Sequence, residues 1–222
     1  MSSFDEILES AEKRCGGAAV LAERLPEVTL AADLRALPDD RCFSLMSFRV
    51  FASGLKHSMV KGKWPDFEDV FFAFDPVRVR AINDEDLEAL MNETRIIRHW
   101  GKIKATRANA GALCDIADAH GSFANWLADW PADDPVGLWE AIAQNFNQMG
   151  GMSGPYFLRL IGKDTFVLTK DVIKALNAWG AYDGDPKGKK ARAEVQVAFN
   201  QWAADSGRPL SHLSRILALS VD

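Results

Sequence analysis

Helix start and stop signals recur along this chain, and they constrain its fold more than any other feature. Ser3 and Glu6 have the spacing of a capping box ahead of an apolar run, and Gly16 follows that run. Asn83 and Thr169 stand at the starts of two further amphipathic segments. No run of alternating apolar and polar residues is long enough to predict a strand. The sequence therefore predicts an all-α fold with about eight to ten helices.

A phenylalanine-rich segment and the C-terminal segment each predict another helix. Phenylalanines at positions 67–74 have helical spacing, and Asp66 is the expected N-cap. Pro76 is expected to end this helix, because the residue before a proline avoids helical backbone angles. Ser211 precedes the last apolar run and is the expected start of the final helix.

The composition excludes several classes of protein. The 222 residues carry a formal net charge of −5, and 48% of them are apolar. This is typical of a globular protein and excludes one that coats nucleic acid through bulk positive charge. No window approaches the roughly 18 to 20 apolar residues of a membrane span, and the N-terminus lacks a signal-peptide pattern. We therefore expect a cytoplasmic protein without a membrane partner, folded as one helical domain over residues 1–222. A lobe boundary is expected in the proline-interrupted stretch 130–137.

Three cysteines, Cys15, Cys42 and Cys114, lie far apart in the sequence with no CxxC pair. This spacing argues against a disulfide framework and against a local zinc site. We interpret all three as buried, reduced thiols.

Three segments resemble known glycosylases. The run from Phe74 to Leu113 carries an FDP triplet, an acidic helix start, IIR and GKI triplets and a following Asn-Ala. It resembles the DNA-3-methyladenine glycosylase I family, without a gap. The run from Phe43 to His57 looks like the family's helix that ends in a Gly-Leu step, and residues 149–172 look like the helix-hairpin-helix element of the wider DNA glycosylase superfamily.

The resemblance implies a helix-hairpin-helix DNA glycosylase-like fold of two helical lobes with a cleft, the hairpin element lying near residues 139–180. It implies a monomeric DNA repair enzyme without a cofactor, associated with the nucleoid if the source is a prokaryote. Such an enzyme flips a damaged base out of double-stranded DNA and hydrolyses the N-glycosidic bond of an alkylated purine similar to 3-methyladenine. The family's zinc ligands are two cysteines and two histidines near the termini. Only Cys15 stands near such a place, so we expect no metal.

The resemblance also indicates the site residues, with changes of residue type. The family's binding-pocket glutamate falls at Arg49 and its tryptophan at His57, and Trp64 is a third base-pocket candidate. The superfamily's catalytic aspartate falls at Lys170 or the residue before it. The catalytic candidates are therefore Lys170 and the nearest carboxylate, Asp171.

These changes leave alternatives open. If Arg49 faces the pocket, it repels a cationic base and favours a neutral or anionic one that presents hydrogen-bond acceptors; otherwise it faces solvent or a phosphate. His57 is either a base contact or a structural residue, and Asp171 also suits the start of a helix. Lys170 is either an amine nucleophile or a surface lysine. The chain is accordingly an active glycosylase, a relative that binds lesions without excising them, or a helical protein that binds a small molecule or a protein partner.

Two segments are candidates for contacts with DNA phosphates. Glycines after position 147 admit positive φ and let backbone N–H groups approach a phosphate, and a following helix N-terminus adds partial positive charge. The run from Arg95 to Arg107 is basic and contains no acid. The alternatives are a turn without a ligand and a solvated helix face. The DNA-binding candidates are Gly150, Gly151, Ser153, Gly154, Arg98, Lys102 and Lys104.

Overall fold

The computed structural model describes residues 3–221, and within them it contains fourteen α-helices, two short 3-10 helices and no strand. The helices outnumber the expectation because several are single turns of five residues, too short to show an amphipathic period. They are α1 (Phe4–Cys15), α2 (Ala18–Ala22), α3 (Ala31–Arg35), α4 (Asp39–Ala52), α5 (His57–Val70), α6 (Pro76–Arg80), α7 (Asp84–Ala89), α8 (Trp100–His120), α9 (Phe123–Asp129), α10 (Pro135–Asn145), α11 (Ser153–Ile161), α12 (Lys170–Ala178), α13 (Gly188–Ser206) and α14 (Leu210–Leu219). The prediction of an all-α chain is confirmed.

The predicted helix caps are confirmed where the signal is local. The Ser3 side chain accepts a hydrogen bond from the Glu6 amide, and Gly16 ends α1 in the left-handed conformation at φ 89°. The side chains of Asn83 and Thr169 cap α7 and α12 in the same way. These caps were predictable because each needs partners only three residues away.

The prediction for the phenylalanine-rich helix was wrong at both ends. The helix α5 begins at His57, so Asp66 lies inside it, as does the proline before it. It ends at Val70, and the chain then reverses through a left-handed turn over Phe72–Phe74, with φ of 56°, 54° and 56°. Asp75 caps α6 by accepting hydrogen bonds from two amides of its first turn, so Pro76 begins a helix.

The start of the last helix also differs from the prediction. Ser211 is the second residue of α14 and does not cap it. The carboxylate of Asp164 accepts hydrogen bonds from the amides of Leu210 at 2.8 Å and Ser211 at 2.9 Å. The cap therefore comes from 46 residues upstream, which no local pattern reports.

The chain divides into two compact units. Unit 1 comprises Met1–Thr29, Pro131–Leu138 and Asp164–Asp222, and unit 2 comprises Leu30–Trp130 and Trp139–Lys163. In unit 1, α14 packs against α1, α12 and α13. In unit 2, α4 is buried along most of its length and packs against α5, α8 and α11. Among residues 3–221, no helix has both the length and the apolar character that a bilayer crossing requires.

Candidate functional site

A groove in unit 2 brings the last turn of α4, the start of α5 and one face of α11 together around a volume of about 570 Å³. This volume falls within the range of small-molecule sites. Leu55 and Leu160, which are 38% and 42% exposed, give it apolar walls. The lining residues are Arg49, Ala52, Leu55, His57, Tyr156, Arg159 and Leu160.

Arg49 is the central charge of this groove. Its guanidinium carbon lies 5.0 Å from the centroid of the Tyr156 ring, a cation–π contact. Its Nε atom is buried and makes no hydrogen bond to any residue of the described chain. Burial lowers the pKa of Arg49, although a guanidinium remains a cation at neutral pH. The Nε donor is therefore unsatisfied and sealed from solvent, and the guanidinium lies beside an aromatic face.

Lys102, a predicted phosphate contact, is buried and 7% exposed. Its ammonium donates hydrogen bonds to the carbonyl oxygens of Phe51 at 3.0 Å and Ser53 at 2.7 Å. These carbonyls lie at the C-terminus of α4, where a cation is favourable. Burial and the nearby Arg49 lower the pKa of Lys102. Its amine binds the end of α4 and does not face solvent, so it is not available to a DNA phosphate.

Of the other two base-pocket candidates, His57 lines the groove, whereas Trp64 does not. His57 is exposed at the start of α5 and meets the Phe48 ring edge-on, with centroids 5.3 Å apart. Trp64 stacks between Phe67 and Phe74 at 4.9 and 5.1 Å. Its indole N–H donates to the hydroxyl of Ser44 at 3.0 Å. These contacts make Trp64 part of an aromatic core.

The glycine-containing connection between α10 and α11 is pinned to α8 by Asn109. The Asn109 side chain accepts from the Asn147 amide at 2.7 Å and donates to its carbonyl at 3.0 Å. Gly150 and Gly151 are exposed, and a Cβ at either would meet nothing within 4 Å. The backbone of this connection at these two glycines is therefore open to a ligand.

The other two residues predicted for this loop lie in α11. Gly154 is buried, and a Cβ added there would lie 3.5 Å from the Ile142 side chain; Ser153 is 8% exposed. Their amides donate to the carbonyls of Met149 and Gly150. Both residues are therefore buried and stabilise the turn through their backbone hydrogen bonds.

The remaining basic candidates are exposed near the N-terminus of α8. Arg98 precedes the helix, and the Lys104 ammonium lies 5.3 Å from the Trp100 ring centroid. A second depression of about 350 Å³ contains Lys104 together with Asn147 and Gln148 of the α10–α11 connection. The structure thus brings Lys104, but not Arg98, beside the predicted phosphate-binding loop.

Lys170 and Asp171 are exposed in the first turn of α12, behind the Thr169 cap. They belong to unit 1, whereas the groove belongs to unit 2. Neither residue lines the groove.

No group of three or more histidine, cysteine or acidic side chains in residues 3–221 is arranged to hold a metal ion. Cys15 is half-buried, and its thiol lies 3.9 Å from a guanidinium nitrogen of Arg24. The expectation that all three thiols are buried was wrong for Cys15 and right for Cys42 and Cys114.

Sequence reasoning missed Tyr156 and Arg159. With Leu160 they have the i, i+3, i+4 spacing of one face of α11. That spacing was a usable signal, but only the packing of α11 against α4 shows that this face meets Arg49.

Comparison with known proteins identifies the family. A model of the family described as methyladenine glycosylase matches residues 35–149, more than half of the chain. The chain belongs to the methyladenine glycosylase family. The matched region includes Arg49, His57 and Asn109, whereas the α11 side of the groove lies beyond it.

Three known proteins are similar to this chain. The chain is 38% identical over 72 residues to DNA-3-methyladenine glycosylase 1 of Escherichia coli, a match that covers 32% of this chain and 38% of that protein. The solved 3-methyladenine DNA glycosylase I of Staphylococcus aureus superposes with a TM-score of 0.51 at 23% identity, covering 57% of this chain and 77% of that one. The 8-oxoguanine DNA glycosylase of Methanocaldococcus jannaschii gives a TM-score of 0.56 at 14% identity, covering 93% and 89%. These likenesses confirm the predicted glycosylase-like fold.

Proposed function

We propose that this protein is a DNA repair glycosylase that flips a damaged base out of double-stranded DNA and hydrolyses its N-glycosidic bond. The substrate class is an alkylated purine, as the family relationship suggests. The observation that carries the proposal is the groove itself, which the family-matching segment lines with Arg49 and His57. A flipped base must be held between aromatic or apolar walls, and Tyr156, Leu55 and Leu160 provide such walls.

The DNA backbone would be held by the α10–α11 connection and by Lys104. Exposed Gly150 and Gly151 let a phosphate approach the backbone, and Lys104 adds a positive charge beside them. Such a local contact does not require a basic protein, which agrees with the net charge of −5. Arg98 is a further candidate because it is exposed just before α8.

The chemical step would use positioning by the groove and a charge that stabilises the sugar cation. Asp171 is the carboxylate we assign to that cation, because it is exposed at the start of α12 where the superfamily's aspartate is expected. The adjacent Lys170 is the candidate for an additional amine-dependent reaction.

Base release from damaged duplexes tests this proposal directly. Methylated double-stranded DNA and duplexes with single lesions are incubated with the full chain, and free bases are measured by chromatography. We expect release by the wild type and roughly 5- to 150-fold less release by Tyr156→Ala, since a base–aromatic stack contributes about 1–3 kcal/mol. Val77→Ala, at a position 57% exposed, is the matched control. Failure to release any base, under conditions in which an active relative works, would contradict the proposal.

A second candidate function is lesion binding without excision. It is favoured by the lining of the groove, in which none of the described residues is acidic. Its test is the affinity for a duplex with a stable abasic analogue. Salt-sensitive binding that is tighter than for intact duplex, together with no base release, would establish this second function.

A further inference from the structure

The groove has an unusual charge balance for a site that receives a base. Arg49 is a cation in its lining, and none of the residues that line it carries a carboxylate. Tyr156 supplies its aromatic face. Arg49 makes no ion pair within residues 3–221, and its Nε has no hydrogen-bond partner there. A half-buried cation without a counterion is unfavourable unless a ligand completes it.

A positively charged base would be poorly held in these surroundings. An N3- or N7-methylated purine is a cation in DNA, and in the groove it would lose hydration beside a guanidinium with no neutralising carboxylate. An uncharged base that presents a carbonyl oxygen next to a ring nitrogen offers two acceptors instead. That pair of acceptors matches the planar donor geometry of arginine.

We propose that Arg49 selects an uncharged base with a carbonyl oxygen and an adjacent ring nitrogen, and that it stabilises this base as it departs. This inference rests on the proposed glycosylase function, and as the preferred substrate it replaces the alkylated purine that the family relationship suggests with an uncharged base. Arg49 is then a catalytic residue, because its donors touch the reacting base.

The bond changes in this step balance without another reactant. The bond between the sugar C1′ and the base nitrogen breaks, and its electron pair stays on the base as a negative charge next to Arg49. Water adds its oxygen to C1′ and loses a proton, and the departing base gains a proton. The products are the free neutral base and an abasic sugar bearing a hydroxyl group. A preorganised cation at the developing charge lowers the barrier of such a step.

Two features of the surroundings strengthen this role. Partial burial of Arg49 reduces screening by water, so its charge acts more strongly on a bound base. Lys102 contributes positive potential on the same side, and its amine is fixed by two carbonyls of the α4 end. The leaving base therefore meets donors and positive charge where the family pattern has a glutamate.

The experiment compares two lesion classes with four proteins. One duplex carries hypoxanthine, an uncharged 6-oxopurine, and the other carries an N7-methylpurine. The proteins are the wild type, Arg49→Lys, Arg49→Glu and the control Arg80→Gln, whose side chain is exposed on α6 and does not line the groove. Single-turnover base release is measured on natural nucleotides, and affinity is measured on 2′-fluoro analogues that resist cleavage. Thermal unfolding verifies that every variant folds.

We expect the wild type to bind and release the uncharged base preferentially, and Arg80→Gln to behave like it. Arg49→Glu should lower hypoxanthine release by roughly 10²- to 10³-fold, the usual effect of removing a preorganised donor. It should also shift preference toward the methylpurine. Arg49→Lys should retain part of the release, because it keeps the charge but loses the planar pair of donors.

The possible failures are distinguishable. Preferential release of the methylpurine by the wild type, unchanged in Arg49→Glu, overturns the inference and leaves the proposed glycosylase function standing. A second outcome is a binding preference that depends on Arg49, without release of a base from either duplex. This outcome refutes the hydrolytic step and the glycosylase function. Arg49 then remains the group that recognises the base. If the wild type shows no preference in binding and releases no base, the inference about Arg49 and the glycosylase function are both refuted.

Discussion

The two ends of α4 carry an arginine each, and the two side chains have opposite surroundings. Near the start of the helix, Arg41 donates hydrogen bonds to both carboxylate oxygens of Glu68, at 3.1 and 3.0 Å, and to the carbonyl of Ala73 at 2.6 Å. In the last turn, Arg49 has an aromatic neighbour in Tyr156 and no carboxylate partner within residues 3–221. The same residue type therefore secures the fold at one end of the helix and remains available to a ligand at the other.

The contacts of Arg41 at the start of α4 also explain an unfavourable backbone conformation nearby. The left-handed turn over Phe72–Phe74 costs roughly 1–2 kcal/mol per residue for side chains other than glycine. Arg41 holds its middle carbonyl, and Phe74 stacks on Trp64 at 5.1 Å. Trp64 is in turn linked through Ser44 to Glu68, whose carboxylate accepts from the Ser44 hydroxyl at 2.6 Å. The Arg41 end is thus a closed polar and aromatic network, which supplies stability.

The largest effect should follow from breaking the aromatic core below Arg41. Phe67 is fully buried and stacks on Trp64, so Phe67→Ala should lower the free energy of unfolding by about 3–5 kcal/mol. Denaturant unfolding followed by circular dichroism measures this loss. The exposed control Val77→Ala should change it by less than about 0.5 kcal/mol. Equal losses in the two variants would contradict the assignment of this cluster to the core.

The difference between Arg41 and Arg49 is tested directly by substituting each of them in turn. Arg41→Ala should lower the free energy of unfolding by about 1–2 kcal/mol, because Glu68 and Ala73 lose charged hydrogen bonds at a site that is 41% exposed at Arg41. Arg49→Gln should leave it within about 0.5 kcal/mol or raise it, since an unpaired buried charge is removed. The same unfolding assay measures both. A loss in Arg49→Gln as large as that in Arg41→Ala would remove the distinction.

The pH dependence of the free energy of unfolding tests the electrostatic surroundings of Arg49 and Lys102. Burial and Arg49 lower the folded-state pKa of Lys102 below its ordinary 10.5. At pH values between the folded-state and unfolded-state pKa of Lys102, this amine holds more protons in the unfolded chain than in the folded one. The contribution of Lys102 to stability therefore rises with pH up to about 10.5. The free energy of unfolding of the wild type, relative to Lys102→Met, should therefore increase through this window by less than about 1.4 kcal/mol per pH unit. The increase should shrink when both proteins also carry Arg49→Gln. A relative stability that falls with pH would show the opposite shift.

The smallest expected effect is a difference between two cysteines in their rates of reaction with a thiol reagent. It reports on how firmly the Arg41 end of α4 is packed. Cys42, next to Arg41, is fully buried, and burial raises the pKa of its thiol to about 12. Cys15 is half-buried and should react first with a thiol reagent in the native protein. Mass spectrometry of the labelled peptides gives the two rates. Labelling of Cys42 as fast as Cys15 would mean that the Arg41 end opens readily.

Some features of this protein were predictable because their causes are local in sequence. The caps at Ser3, Asn83 and Thr169 each satisfy an amide three residues away, so the pattern contains both partners. The FDP, IIR and GKI triplets identify the family because they lie in one continuous run. The caps predicted the all-α class, and the resemblance of the run from Phe43 to His57 indicated Arg49 and His57 as candidates.

Other features depend on partners that are distant in sequence, and only the tertiary structure decided them. Asp164 caps a helix that begins 46 residues later, and Lys102 neutralises the end of a helix 49 to 51 residues earlier. Whether an arginine meets a carboxylate or an aromatic ring is settled by which helix packs beside it. Arg41 faces Glu68 on α5, and Arg49 faces Tyr156 on α11, because burial of the α4 apolar face fixes both neighbours at once. The sequence alone predicted that a cation, Arg49, stands where the family pattern has an anion. The packing of α11 decided that this cation lines a groove.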